Sequence, residues 1–234
     1  MTATTPTTQG ILKAAKVLEN VIETTPLKLN EHLSEEFGAK IYLKREDLQV
    51  VRSYKIRGAY NFMSQLNSAQ KKVGVVCASA GNHAQGFAMS CSILKIKGVV
   101  FMPVTTPKQK ITAVERLGKK YVEIVLIGDT YDDAKSAALK YVQKENKIFV
   151  PPFDHKLIIE GQGTVAAEVT EQIGKKKIDY IFVPIGGGGL AAGVITYFSE
   201  ISPSTKIIGV EPQGAPAMAE AIKKNKTIIL EKID

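Results

Sequence analysis

Cysteine and histidine are scarce in this 234-residue chain, with two copies of the first and three of the second. Cys77 and Cys91 form no CxxC pair, and such usage suits a reducing cytoplasm better than a disulfide framework. Both read as small core residues. His32, His83 and His155 stand apart from one another, so no metal-ligand spacing exists and no metal is expected. Acidic residues are outnumbered, leaving a net charge of +8. The lysine runs Lys71-Lys72, Lys175-Lys176-Lys177 and Lys223-Lys224 fall near expected helix ends, where they complement the helix dipole. No aromatic residues interleave with them, so nucleic acid is not the expected partner. One long uncharged stretch, Tyr180 to Ser199, could cross a bilayer by length alone. Pro184 and four glycines interrupt it, so no membrane is expected and a strand, a glycine loop and a helix explain it better. Residues 1–10 lack the charged-then-apolar pattern of a signal peptide and read as a loose polar tail.

What is present is ordinary globular composition, 44% hydrophobic and 23% charged. Apolar runs at 40–44, 73–78, 98–102, 122–127, 147–150, 178–185 and 206–210 predict strands. Several are continuous and rich in Val and Ile, as in strands buried on both faces. Helices are predicted over 54–66, 83–94, 108–117, 131–145, 158–173, 190–200 and 216–224. In 131–145, Tyr131, Ala134, Ala138, Tyr141 and Val142 recur at helical spacing, with Asp129 and Thr130 as caps. This alternation predicts an α/β fold with mostly parallel twisted sheets covered by helices. Pro151-Pro152 marks a stiff break, a place for the chain to pass between two lobes.

The most informative local feature is IDYIFVPIGGGGLAAG, in which an apolar strand enters Gly186, Gly187, Gly188 and Gly189 and leaves as a helix. Successive backbone N–H groups can turn toward one point there, and the helix adds its positive N-terminal end, which makes an anion site. A Walker A loop fails, because Val194 and Ile195 stand where Lys and Ser/Thr are needed. A dinucleotide fingerprint finds only Ala191 or Ala192 at its last glycine, with Glu211 near the ribose-contact distance, so a nucleotide-binding Rossmann protein is the weakest reading. The plainer alternative is a turn that lets a helix pack on a strand. Glycine costs about 0.5–1 kcal/mol against alanine in a regular element, and a turn needs only one or two, so the run favours a ligand.

Residues 53–60, SYKIRGAY, place Lys55 in the first turn of a helix that Ser53 can cap. Lys55 alone reads as a surface lysine, although Tyr54 and Ile56 flank it with apolar surface. Desolvation would lower its pKa and make it a usable nucleophile. Residues 78–86, ASAGNHAQG, follow a strand. Asn82 reads first as a helix cap and His83 as a core histidine. A serine-hydrolase elbow fails, since Cys77 occupies its first glycine position.

Together KREDLQVVRSYKIRGAY, ASAGNHAQG and PIGGGGLAAG, with VPPFDHKLIIEGQGT between them, resemble the threonine dehydratase (threonine ammonia-lyase) group of fold type II enzymes dependent on pyridoxal 5'-phosphate (PLP). The resemblance covers the chain from about Leu18 onward. It implies a two-lobed, tryptophan synthase β-like architecture: a large lobe from residues 1–50 and 151–234 and a small lobe from 51–150. It implies that Lys55 is the Schiff-base lysine, with Tyr54 where the family usually has phenylalanine. Asn82 matches the residue that bonds the cofactor's ring hydroxyl. Ser79, Ala80, Gly81, Asn82 and His83 match the loop that holds the substrate carboxylate. Gly186, Gly187, Gly188, Gly189 and Leu190 match the phosphate cradle. The implied reaction converts L-threonine to 2-oxobutanoate and ammonia in isoleucine biosynthesis, with L-serine as a side substrate and a dimer or tetramer as the full-length state. Ala80 stands where serine racemases typically carry a second acid/base, which favours elimination over racemisation. The family's catalytic domain continues beyond Asp234. The chain is therefore expected to be C-terminally truncated, without the serine that contacts the pyridine nitrogen or any regulatory domain, and to leave exposed apolar surface. A non-catalytic PLP-binding fragment and an L-serine dehydratase or racemase-like relative are the alternatives.

Overall fold

A computed structural model describes residues 5–228 and 230. The chain begins with α1 (Thr8–Leu18), β1 (Leu27–Leu29), α2 (Glu31–Phe37), β2 (Tyr42–Lys44), α3 (Lys55–Ser64) and α4 (Ser68–Val73). A strand–helix alternation follows: β3 (Val75–Ala78), α5 (Asn82–Leu94), β4 (Gly98–Met102), α6 (Lys108–Gly118), β5 (Val122–Leu126), α7 (Tyr131–Glu145) and β6 (Ile148–Phe149). Then come α8 (Lys156–Ile173), β7 (Tyr180–Pro184), α9 (Gly189–Ile201), β8 (Lys206–Val210) and α10 (Ala217–Lys224).

Strands β5-β4-β3-β6 form one parallel sheet. Its side chains alternate between two cores, as the two-residue period of a strand requires. Val75, Cys77, Val100 and Met102 pack with Phe87, Ala88 and Val114 of α5 and α6. Val76, Ala78 and Phe101 pack on the other face with Ala134 and Ala138 of α7. Strands β7 and β8 form a separate parallel pair, and β1 and β2 an antiparallel one. A third core joins Ile11, Val165, Ala166, Val183, Leu190, Val194 and Phe198 from α1, α8, β7 and α9. Every strand and helix predicted from periodicity is present, and Thr130 caps α7 through its side chain. No helix among the described residues is long and apolar enough to cross a membrane.

Three expectations need correction. Residues 8–10 are the first turn of α1, capped by Thr7, and not part of a loose tail. The apolar stripe Ile11, Ala14 and Leu18 buries that helix, and its polar leading residues hid it. β1, α2 and α4 were too short for periodicity to register, although Asn30 and Asn67 cap the two helices. Burial on both faces holds for β3 and β4 but not for β5, β7 and β8. Among the described residues nothing covers one face of the β7-β8 pair, where Tyr180 and Phe182 stand 52% and 68% exposed.

Helices α3, α8 and α9 meet backbone to backbone. A Cβ on Gly161 would lie 2.6 Å from the Arg57 carbonyl oxygen and the Gly58 Cα. One on Gly193 would lie 2.6 Å from the Gly163 nitrogen and the Ile159 carbonyl oxygen. Alanine at a free helical position gains about 1 kcal/mol over glycine. At Gly193 the sign should reverse: Gly193→Ala should destabilise by about 1–3 kcal/mol through overpacking, read as a lower urea midpoint. A raised midpoint would show that α8 and α9 do not touch there.

Candidate active site

Lys55 is the first residue of α3, as the sequence placed it, but Tyr54 rather than Ser53 is the N-cap. Tyr54 supplies no side-chain cap. The Ser53 hydroxyl accepts only a long 3.4 Å bond from the Lys55 amide. The Lys55 side chain turns inward and its Nζ donates to the Pro152 carbonyl at 2.8 Å. It also lies 5.6 Å from the centroid of the Tyr54 ring. Burial lowers the pKa of the amine from its ordinary value, and no carboxylate acts to hold it up. Neutral amine, the nucleophilic form, is thereby favoured.

The ASAGNH segment leaves the C-terminal end of β3 and turns into α5. Ser79 Oγ accepts from the Gly81 amide at 3.1 Å and shapes the turn. Gly81 is the N-cap, so Asn82 lies exposed inside the first turn instead of capping it. The first-turn amides of Asn82, His83 and Ala84 have no intrahelical acceptor, which leaves donors for an anion. His83 points the other way. The residue is 4% exposed and its Nε2 meets the Val150 carbonyl at 3.1 Å. That contact requires a proton on Nε2. Burial, then the nearby Lys55 charge, push the imidazole down to about 4.

The glycine loop runs from β7 into α9, with Gly188 as the left-handed N-cap at φ 84°. The four glycines have separable causes. A Cβ on Gly187 would sit 2.2 Å from the Phe153 ring, and one on Gly189 would sit 2.9 Å from the Phe153 carbonyl oxygen. Gly188 needs its positive φ. Gly186 alone faces open space, with no atom within 4 Å of where a Cβ would lie. Packing and backbone geometry thus explain three positions that the sequence argument assigned to a ligand. The open face at Gly186 and the α9 N-terminus keep the anion site. Leu190 is buried in the core with Val183 and Val194, so only its backbone can serve the loop.

One strap, residues 150–155, joins these parts. Val150 holds His83, Pro152 holds Lys55, and Phe153 packs on the glycine loop. His155 then caps α8 through Nδ1 and meets the Phe62 ring edge-on at 4.7 Å. Gly86 of α5 closes the arrangement, since a Cβ there would lie 2.9 Å from the Lys55 carbonyl carbon. Sequence reasoning flagged Pro151-Pro152 only as a break and gave Phe153 no role. A buried neutral histidine costs stability in acid. At pH above 6.5 His83 is uncharged in both folded and unfolded chains, and below that only the unfolded chain gains the proton until about pH 4. Urea unfolding should show stability lost from this source as pH falls through that window, about 3 kcal/mol in all. His83→Gln should remove that part of the slope, and an unchanged slope would contradict the buried neutral ring.

Comparison with known proteins identifies the family. The family described as pyridoxal-phosphate dependent enzyme matches residues 18–234. The biosynthetic L-threonine dehydratase IlvA of Halalkalibacterium halodurans is 53% identical over 226 residues, which is 97% of this chain and 54% of the relative. The Bacillus subtilis IlvA is 50% identical over 96% of this chain and 53% of its own length. The chain thus spans about half the length of these curated relatives. Among solved structures, threonine deaminase isoform 2 of Solanum lycopersicum superposes with a TM-score of 0.89 at 42% identity, covering 99% of this chain and 67% of that one. Maize serine racemase gives a TM-score of 0.92 at 30% identity, covering 98% and 68%. By sequence and by its α/β fold, this chain belongs to the pyridoxal-phosphate dependent enzyme family.

Proposed function

We propose that this chain is the cofactor-holding part of a threonine ammonia-lyase that converts L-threonine to 2-oxobutanoate and ammonia. The observation that carries the reading is the strap, which holds the Lys55 amine one residue from the ring packed on the glycine loop. The residues present fit PLP: a buried amine of lowered pKa, an anion site open at Gly186, and free amides at the start of α5. Gly186 to Gly189 and the Leu190 amide would hold the phosphate, Lys55 the aldehyde carbon and Asn82 the ring hydroxyl. When bound, PLP supplies an electron sink that makes an amino acid's Cα proton removable.

The remaining work falls to the chain's own groups. The amides of the Ser79–His83 loop hold the substrate carboxylate and so fix which Cα bond faces Lys55. The Lys55 Nζ, whose pKa burial lowers, takes the Cα proton as a general base when in its neutral form. Ala80 offers no second proton donor on the opposite face, so elimination is favoured over racemisation. The relatives are named as biosynthetic L-threonine dehydratases, and we extend the reading to isoleucine biosynthesis with L-serine as a side substrate. We extend the proposal to a cytoplasmic homo-oligomer, and to two lobes divided near residues 50 and 150. The second reading is a chain that holds PLP without turnover.

Added PLP should give a visible absorbance band that survives gel filtration, absent in Lys55→Ala. Threonine should then yield 2-oxobutanoate, lowered about 10²–10⁴-fold without the base. No band defeats the cofactor assignment, and a band without 2-oxobutanoate leaves the second reading. The rate of band formation should rise with pH through a midpoint below 10.5, because only the neutral amine reacts and burial lowers its pKa.

A further inference from the structure

A buried charge cluster lies two residues from Lys55. Arg57 is 0% exposed. Its Nε and Nη2 donate to Glu46 Oε2 at 2.8 Å and Oε1 at 2.7 Å. Its Nη1 and Nη2 donate to Glu168 Oε1 at 2.6 Å and Oε2 at 3.0 Å, and Nη1 also reaches Thr164 Oγ1 at 3.0 Å. All five guanidinium N–H donors are therefore used. Lys44 Nζ donates to Glu168 Oε2 and to the Thr25 carbonyl, and Thr25 Oγ1 donates to Glu46. Two cations face two anions. The paired carboxylates hold the Arg57 guanidinium firmly protonated, and Arg57 in turn holds the Glu46 carboxyl below its usual range despite burial.

Such a cluster is an expensive way to obtain stability, because desolvation consumes most of the attraction and an apolar core does as well. What it provides is geometry. Helix α3 has no side-chain cap, so other contacts must set its first turn. Gln162 Oε1 accepts from the Gly58 amide at 3.3 Å, and Gly161 meets the α3 backbone. Arg57 adds a planar fork bonded at once to Glu168 of α8 and to Glu46, in the turn after β2. Residues two apart lie about 200° around a helix, so the fork grips the face opposite Lys55. A rotation of about 10° would move an atom about 6 Å from the axis by roughly 1 Å. A misplacement of that size can cost about 10²-fold. The same α8 carries Gly163, which seats α9 and with it the glycine loop.

We infer that Arg57 is a positioning residue, whose fork on Glu46 and Glu168 sets the rotation of α3 on α8 and so aims the Lys55 amine at the phosphate loop. The inference rests on Lys55 being the cofactor lysine. Lysine at position 57 keeps a charge but cannot bond both carboxylates bidentately.

The test compares the full chain with Arg57→Lys and Glu168→Gln. Covalent bonding of PLP to Lys55 is followed by the growth of the visible band across pH. Binding at the phosphate loop is followed separately with pyridoxamine 5'-phosphate, which has no aldehyde to react. Arg57→Lys should bond PLP at least tenfold more slowly, with its pH midpoint moved up toward that of an ordinary lysine. Its pyridoxamine 5'-phosphate affinity should stay within about twofold of the parent, since the loop is untouched. Glu168→Gln should shift both readouts the same way by less. Unchanged rate and midpoint in Arg57→Lys would overturn the inference, as would parallel loss of pyridoxamine 5'-phosphate binding or failure of both variants to fold. If the parent chain itself bonds no PLP, the cofactor assignment falls first and is distinguished by that control.

Discussion

The hydrogen bond from Lys55 Nζ to the Pro152 carbonyl is the contact around which the site is arranged. It is made by a side chain at the start of α3 to a backbone strap that enters from β6 and leaves into α8. Because Pro152 has no amide hydrogen of its own, that residue contributes only its carbonyl. The neighbouring residue, Phe153, seats the glycine loop, and the residue two before Pro152, Val150, seats His83. Three segments far apart in sequence are thus registered against one short stretch of chain. The buried amine is held by a neutral acceptor and not by a carboxylate, so its proton is weakly held. That is the electrostatic condition for the proposed role of Lys55 as amine nucleophile and base.

Helix packing supports the strap from below. α8 lies against α3 through Gly161 and Gln162 and against α9 through Gly163. Close approach at glycine leaves little freedom for one helix to slide on the next, since there is no side chain to repack. Lys55 on α3 and the loop preceding α9 are therefore referenced to a single rigid element. Glu160, Gln162 and Thr164 on that helix are all buried, and each has a partner: the Thr7 amide, the Gly58 amide and the Arg57 guanidinium. Polar groups buried with partners define orientation as much as they add stability.

Much of this was legible in the sequence, for identifiable reasons. Strands β3 and β4 are runs of apolar residues bounded by turns, and α7 has both a helical stripe and a capping threonine. The glycine loop declared itself by composition, whereas Lys55 stood out from the other lysines only through the family resemblance of the motifs around it. The causes of the glycines did not. Gly187 and Gly189 are small because of a phenylalanine more than thirty positions away, a long-range contact that no local pattern encodes. Arg57 was equally hidden, since an arginine in a sequence reads as surface until its carboxylates, Glu46 and Glu168, are found folded against it. Helix α1 was missed because its capping threonine sits in a threonine-rich run that looks like a tail.

The most direct measurement is to incubate the chain with a small excess of PLP, reduce with borohydride, and map the modified peptide by mass spectrometry. The expected result is one pyridoxyl group, on the peptide containing Lys55, blocked by excess inorganic phosphate competing at the glycine loop. Label spread over exposed lysines, or label on Lys55 indifferent to phosphate, would contradict the assignment of Lys55 and the glycine loop to one cofactor site.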